Sequence, residues 1–101
     1  MNRPIMDLTL LRTRYKPDIL ALAELHKAEN IRIFGSIARG EANAGSDIDF
    51  LVHFRKGASL FDLAGLGNDL SRLLEAEVDV IPDDAVHWYI RDQVLQEAVP
   101  L

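Results

Sequence analysis

The spacing of apolar and polar residues predicts a small domain that mixes strands and helices. From position 48 to 54 apolar side chains fall on every second residue, which is the period of a strand with one buried face. Two shorter runs, Ile31 to Phe34 and Glu77 to Ile81, have the β-branched content of strands. We therefore predict three strands that form one sheet.

Helical spacing predicts a first helix before these strands. From Asp18 to Glu29 the apolar residues recur as on an amphipathic helix. Pro17 suits the first turn of such a helix but disfavours helix at the residue before it, Lys16. Asn30 is the expected end of the helix. Residues 1–16 suggest one or two helical turns.

Two further helices follow in the second half of the chain. Ser59 and Asp62 have the spacing of a capping box, which opens a helix that continues to Leu74. The last helix is predicted from Ala85 to about Ala98, capped by one of the aspartates at 83 and 84. The order α-β-β-α-β-α predicts an α/β (α+β) fold, a small sheet with helices packed against it.

Composition and charge restrict the class of protein. The length of 101 residues fits one domain, residues 1–101, and no apolar run is long enough to cross a membrane. There is no cysteine and no signal-peptide pattern, so we expect a cytoplasmic protein. The net charge is −5 with scattered basic residues, so direct nucleic-acid binding is not expected.

Candidate chemistry is concentrated between Phe34 and Val52. Asp47 and Asp49 stand at the start of the alternating run that is predicted to be a strand, although aspartate is depleted in strands. On a strand they point to the same side, about 6.6 Å apart at the backbone. Carboxylate oxygens at that spacing can share Mg²⁺ ions. Two such ions stabilise both the attacking and the leaving oxygen of a phosphoryl displacement.

Asp79 is the expected third carboxylate of this site. It lies in the run EVDVI, with its side chain opposite Val78 and Val80. If its strand pairs beside the strand of Asp47 and Asp49, all three carboxylates can share one face. Without a cation, three such groups would repel one another and raise their pKa values.

The pair Gly35-Ser36 is the expected phosphate side of the site. Glycine permits a tight turn, and a following helical turn that ends at Gly40 would aim free N–H groups at an anion. The Ser36 hydroxyl can add a donor. Taken alone, each of these features has an ordinary explanation as a turn, a cap or a solvated strand residue. Their joint occurrence in this order indicates a site for a metal-bound nucleotide.

Other side chains give weaker signals. His53 shares the strand face of Asp47 and Asp49 and could touch the site, but the more ordinary interpretation is a surface histidine. Arg39 alone is a surface cation at a helix end. Trp88 and Tyr89 are expected to anchor the last helix.

These motifs resemble a known family. Gly35-Ser36, ten intervening residues, Asp47-Ile48-Asp49 and a later Asp79 on a strand are similar to the signature of DNA polymerase β-like nucleotidyltransferases. The longer run GSIARGEANAGSDIDFLV, the short chain and the ending IRDQVLQEAVPL resemble the minimal nucleotidyltransferases, which are the MNT-type antitoxins often paired with HEPN-domain toxins. The resemblance extends from about Asp18 to the C-terminus.

The resemblance implies a mixed sheet flanked by helices and a Mg²⁺-dependent transfer of NMP from NTP to a hydroxyl, with release of pyrophosphate. By position, Gly35-Ser36 would hold the β- and γ-phosphates. Asp47 and Asp49 would bind both metal ions. Asp79 would bind the catalytic ion and help activate the hydroxyl. Arg39 matches the family's basic, nucleotide-side position without an assigned step.

For MNT-type antitoxins the resemblance further implies AMP transfer from ATP to a tyrosine of a HEPN-type toxin encoded nearby. Two alternatives remain open from the sequence. The chain could neutralise its partner by direct contact, with vestigial nucleotide transfer. It could also modify a small molecule, as aminoglycoside nucleotidyltransferases do. The sequence alone gives neither the acceptor nor the choice of nucleotide.

Overall fold

Four strands form one mixed sheet in the computed structural model, which describes residues 5–43, 45–86 and 90–101. The strands are β1 (Ala28–Phe34), β2 (Ile48–Phe54), β3 (Val78–Pro82) and β4 (Val99–Pro100). Their order across the sheet is β3-β2-β1-β4. The pair β2/β3 is parallel, and β1 is antiparallel to both β2 and β4. The predicted fold class, a small mixed sheet flanked by helices, is confirmed.

The helical elements surround this sheet. They are α1 (Leu8–Leu10), a π-helical segment (Leu11–Tyr15), α2 (Lys16–Leu25), α3 (Gly35–Ala38), α4 (Leu60–Leu74), a 3₁₀ turn (Asp83–Ala85) and α5 (Arg91–Glu97). Within the described ranges no helix has the length and apolar character needed to cross a membrane.

The predicted break of the helix before Pro17 is wrong. Lys16 has helical angles (φ −54°, ψ −48°), and helix is continuous from Leu8 to Leu25. The wider π-helical segment just before the proline changes which carbonyls are paired there, so the missing proline N–H is accommodated. Leu11 and Ile19, on either side of this point, are both fully buried. Packing of this helix on the sheet therefore outweighs the local preference.

The predicted end of the first helix, at Asn30, is also wrong. The helix ends at Leu25, and Lys27 takes a left-handed conformation (φ +61°) before β1 begins at Ala28. Asn30 has a positive φ of +52° inside β1, where the register with β2 shifts. Asparagine tolerates this region better than most residues, so it forms a bulge within the strand.

The C-terminal part differs most from the prediction. Asp83 and Asp84 lie in the 3₁₀ turn, and α5 begins at Arg91 instead of Ala85. Asp83 does not cap a helix, because its carboxylate is paired with side chains of the sheet. Residues 87–89, which include Trp88 and Tyr89, lie outside the described residues, so their predicted anchoring role stays a prediction.

Strand β4 was not predicted, since two residues are too few to show an alternating pattern. It is held at the edge of the sheet by contacts far apart in sequence. The Arg12 guanidinium donates to the Pro100 carbonyl from Nε at 3.2 Å and from Nη2 at 2.5 Å. The Leu101 N–H donates to the Ile31 carbonyl at 3.1 Å, and Leu101 is buried. These contacts fix the outer edge of β1.

The hydrophobic core fills one face of the sheet, under α2 and α4. Alternation along β2 turns one set of side chains into this core, and three leucines of α4 pack against them: Ile48, Phe50, Val52, Leu66, Leu70 and Leu74. The opposite face carries the residues of odd number on β2, beginning with Asp49. Leu51 on this second face is also fully buried, so the face is partly covered, and Asp49 lies at its half-buried start.

The capping box of α4 is formed as predicted, and it supports a stability prediction. The Ser59 hydroxyl accepts from the Phe61 N–H at 3.2 Å, and the Asp62 carboxylate accepts from the Ser59 N–H at 2.9 Å. We expect Ser59→Ala to lower the free energy of unfolding by about 1 kcal/mol, because the first turn loses its cap. Urea unfolding followed by circular dichroism measures this. Ser71→Ala, in the last turn of the same helix, leaves the backbone hydrogen bonds in place and should change the value by less than about 0.5 kcal/mol.

Candidate active site

The turn from β1 into α3 packs directly against Asp49. Phe34 ends β1 in extended conformation, and Gly35 has φ +74°, a region that disfavours side chains. A Cβ added to Gly35 would collide with the carboxylate of Asp49, whose Cγ would be 3.2 Å away. Glycine is therefore needed here for two reasons, and the turn predicted to hold phosphate touches a carboxylate predicted to hold metal.

The strand register places Asp49 and Asp79 next to each other. In the parallel pair β2/β3, Asp49 is the register partner of Asp79, and on the other side it is opposite Phe34 of β1. Adjacent register partners share a face of the sheet. The condition set out from the sequence, that β3 pairs beside β2, is met, and Asp49 and Asp79 lie on one face. Asp49 is half-buried, whereas Asp47 and Asp79 are exposed.

The electrostatics of Asp49 reflect this crowding. Burial, followed by the negative charges of Asp79 and Asp47 and a hydrogen bond with Asp79, raises the pKa of Asp49 to about 6. The positive charge of Arg39 acts in the opposite direction. The charges of Asp47 and Asp79 therefore act on Asp49, and a bound cation would offset this repulsion.

The donor chemistry fits Mg²⁺, which takes oxygen ligands and keeps several waters. Among the described residues, no three His, Cys, Asp or Glu side chains are already arranged so that they could hold an ion. Asp47 and Asp79 are exposed side chains that can change rotamer, while the Asp49 carboxylate is fixed against Gly35. The carboxylate oxygens are thus of the type that Mg²⁺ prefers, and their predicted role as its ligands stays a prediction.

Arg39, at the C-terminal end of α3, makes two ion pairs. Its Nε lies 3.0 Å from Oε2 of Glu41, and its Nη1 lies 3.3 Å from Oε2 of Glu97 in α5. These contacts raise the pKa of Arg39, chiefly through the hydrogen bond with Glu41. The guanidinium is close enough to act on Asp49, and its predicted role toward the nucleotide stays a prediction. Ser36, in the first turn of α3, is half-buried.

A polar network that the sequence analysis missed continues along the same face. Asp83 accepts from Nη2 of Arg32 at 3.2 Å through Oδ2, and its Oδ1 lies 3.2 Å from Nδ1 of His53. His53 is an exposed histidine, as the more ordinary interpretation had it, and the side chain that it contacts is Asp83. In the parallel pair β2/β3, Asp49 lies beside Asp79, and His53 and Asp83 each follow four residues later on their own segments. The even spacing keeps them on the same face, so this contact could have been inferred once the two strands were paired.

An apolar cavity of about 340 Å³ adjoins the two carboxylates. It lies between the face of the sheet and the segment that follows β3, and its lining residues are Phe34, Asp49, Asp79, Ile81, Ala85, Val86, Ile90 and Val94. The acidic groups at its edge are the polar members of this set. The cavity offers apolar surface for a ligand part that is held beside Asp49 and Asp79.

The raised pKa of Asp49 predicts the sign of a stability change. The pKa of Asp49 is about 6 in the folded state and 3.8 ordinarily, so the folded state binds the proton more tightly. The free energy of unfolding therefore falls as the pH rises from about 4 to about 6, and it stays lower at higher pH. We expect Asp49→Asn to be more stable than the wild type at pH 7.5 without divalent ions. Near pH 3.5 the two proteins should unfold at similar urea concentrations. A variant less stable at pH 7.5 would contradict the assignment.

Comparison with known proteins defines the class to which this geometry belongs. Residues 19–101 match the nucleotidyltransferase domain family. This match covers most of the chain, including Gly35, Asp49 and Asp79. The chain belongs to the nucleotidyltransferase domain family, and the prediction of a nucleotidyltransferase enzyme is confirmed.

Two individual proteins are similar to this chain over most of its length. A protein of Methanocaldococcus jannaschii with the provisional name protein adenylyltransferase is 42% identical over 84 residues, covering 83% of this chain and 90% of that protein. The protein adenylyltransferase MntA of Thermococcus cleftensis is 37% identical over 78 residues, covering 77% of this chain and 79% of the relative.

Solved structures support the same fold. A structure provisionally described as a minimal nucleotidyltransferase has a TM-score of 0.82 and 45% identity, covering 95% of this chain and 97% of its own. A structure described as a toxin–antitoxin with AMP-PNP has a TM-score of 0.72 and 23% identity, covering 85% of this chain and 71% of its own. At 23% identity the second likeness shows the fold alone. The resemblance to minimal nucleotidyltransferases is confirmed.

Proposed function

We propose that this chain transfers the adenylyl group of ATP to a hydroxyl of a partner protein in a Mg²⁺-dependent reaction that releases pyrophosphate. The observation that carries the proposal is the direct juxtaposition of Gly35, Asp49 and Asp79. Gly35 packs on the Asp49 carboxylate, and Asp79 is the register partner of Asp49. A phosphate-type turn and a carboxylate pair therefore meet at one point. The choice of an adenylyl group and of a protein acceptor is based on the relatives that are named protein adenylyltransferases.

Each residue of the site has a role in this proposal. Asp47, Asp49 and Asp79 would hold two Mg²⁺ ions, which supply positive charge for the attacking and leaving oxygens when bound. The N–H groups at Gly35-Ser36 would hold the β- and γ-phosphates. The acceptor oxygen forms a bond to the α-phosphorus, and the bond from the α-phosphorus to the bridging oxygen breaks. Pyrophosphate then leaves, and Asp79 accepts the proton of the hydroxyl.

The partner that we propose is a HEPN-type toxin encoded nearby, with this chain as its antitoxin. The support is a set of fold neighbours described as toxin–antitoxin structures, including MntA–HepT. We further propose, from the family resemblance, that the modified hydroxyl belongs to a tyrosine of the toxin. An acidic antitoxin of net charge −5 also suits a basic, RNA-cleaving partner.

Intact-mass spectrometry of the partner tests this proposal. The neighbouring HEPN-type protein is incubated with this chain, ATP and MgCl₂. We expect a mass increase of one or more adenylyl groups, which is lost when both Asp47 and Asp49 are replaced by alanine. An unmodified partner after prolonged incubation would contradict the proposal.

A cell-protection assay separates transfer from mere contact. If neutralisation requires the reaction, cells that express the toxin are not protected by the Asp47→Ala/Asp49→Ala double variant at normal expression. Full protection by that variant would favour an antitoxin that acts by direct binding. The matched control is Asp92→Ala, which removes an exposed carboxylate from α5.

A further inference from the structure

The outer edge of β3 has backbone groups without a strand partner among the described residues. β3 is the terminal strand of the sheet, paired only with β2. The Glu77 carbonyl accepts from the Ile48 N–H at 2.9 Å, so residue 77 faces β2. In a parallel pair the N–H and C=O groups of every second residue point to the same neighbouring strand. The backbone N–H and C=O of Asp79 therefore also point to β2, whereas the backbone groups of Val78 and Val80 point away from it.

This edge belongs to the strand that carries Asp79. A chain added along β3 would lie about 4.8 Å from it, and a residue opposite Asp79 would place its side chain on the same face at about 5 Å between Cβ atoms. Asp79 is exposed, so nothing of its own strand separates its carboxylate from that position. Strand addition here would deliver a side-chain hydroxyl directly to the proposed reaction centre.

The charge around this edge indicates the kind of chain that would bind. Glu77, Asp79 and Asp84 are acidic side chains on or beside β3, in addition to Asp83, whose carboxylate is already paired with Arg32. Glu77, just before β3, and Asp84, in the 3₁₀ turn after it, are exposed. A chain with lysine or arginine on both sides of its hydroxyl residue would complement these charges.

We propose that β3 captures an extended, basic segment of the acceptor protein by strand addition, so that the hydroxyl residue of the segment lies opposite Asp79. This inference rests on the proposed protein-adenylylating function and specifies how the acceptor is held. Main-chain hydrogen bonds to Val78 and Val80 give affinity with little dependence on sequence, and the flanking charges give selectivity. The strand is five residues long and ends at Pro82, so the contact is short enough for release after reaction.

Backbone-methylated peptides test the main-chain contact. The probe is a ten-residue peptide of alternating valine and lysine with one central tyrosine. Two analogues carry N-methyl groups on alternate residues, one on the odd and one on the even positions. An added strand uses only one of its edges, so we expect one analogue to lose binding at least about tenfold and the other to retain it. Equal binding by both analogues, or no binding of the parent peptide, would overturn the proposal.

Amide exchange measured by NMR locates the contact. On adding the parent peptide without ATP, the amides of Val78 and Val80 should exchange more slowly, while that of Asp79 is already protected within the sheet. Glu77→Lys should weaken peptide binding about five- to tenfold, as charge reversal at an interface does. The control is Asp18→Lys on α2, which makes the same charge change on an exposed residue away from β3. Unchanged exchange at both valines would refute strand addition.

The two proposals fail in different ways. If the peptide protects Val78 and Val80 but no adenylyl group is transferred to any protein with ATP and Mg²⁺, the edge binds a chain and the proposed function is wrong. If the partner protein is adenylylated while its binding leaves both amides unprotected, the function stands and the docking mode is wrong.

Discussion

Replacing Asp49 by asparagine is expected to reduce nucleotidyl transfer by about 100- to 1,000-fold while the protein remains folded. Asp49 is the carboxylate that contacts both other parts of the site, because it packs against Gly35 and pairs with Asp79. Asparagine keeps the shape of the side chain but removes the charge that would hold Mg²⁺. Initial rates of pyrophosphate release, measured at saturating ATP, give the size of the effect.

The Mg²⁺ dependence of stability separates loss of metal binding from loss of structure. Wild-type protein should gain stability when MgCl₂ is added, because an ion that binds only the folded state shifts the unfolding equilibrium. Asp49→Asn should gain much less, although it is the more stable protein without metal at pH 7.5. Asp92→Asn, an exposed carboxylate of α5, should behave as the wild type in both assays. An Asp49→Asn protein with normal turnover would remove Asp49 from the site.

Replacing Gly35 by alanine is expected to cost about 100-fold in transfer, because small displacements of catalytic groups have effects of this size. The new methyl group would collide with the Asp49 carboxylate and force either that side chain or the turn to move. A left-handed conformation also costs a non-glycine residue about 1–2 kcal/mol of stability. Turnover and urea unfolding measure the two effects separately.

Gly40→Ala is the matched control for this substitution. Gly40 has the same φ of +74°, but a Cβ there would meet nothing within 4 Å. Both variants should lose stability through backbone strain, Gly35→Ala the more because of its collision with Asp49, whereas only Gly35→Ala should lose most of its activity. Equal activity losses in both would show that backbone strain, not the contact with Asp49, is responsible.

That Asp49 and Asp79 each lie on a strand could be predicted from the sequence, but the adjacency of the two strands entered only as a condition, which the structure meets. Each aspartate lies in a short apolar run, and a period of two fixes the face once the strands are adjacent. The capping box at Ser59 was predictable for a similar reason, since both partners lie within one turn. The features that could be predicted, a strand face and a helix cap, each depend on residues that are close together in the sequence.

The features that escaped prediction depend on contacts between distant residues. Helix continues through Lys16 because residues on both sides of Pro17 are buried, and burial does not appear in a local propensity. β4 is held by Arg12, which is 88 residues away from Pro100. Asp83 looked like a helix cap, but Arg32 and His53 bind it across the sheet. Each of these outcomes was decided by tertiary structure.

ATP labelled at different phosphates provides the most direct test of the central claim, that this chain transfers the nucleotidyl group and not the terminal phosphate. The chain is incubated with the proposed HEPN-type partner, MgCl₂ and ATP labelled on either the α- or the γ-phosphate. We predict that the α-label becomes attached to the partner protein and that the γ-label is recovered entirely in pyrophosphate. Attachment of the γ-label, or of neither label, would contradict the account.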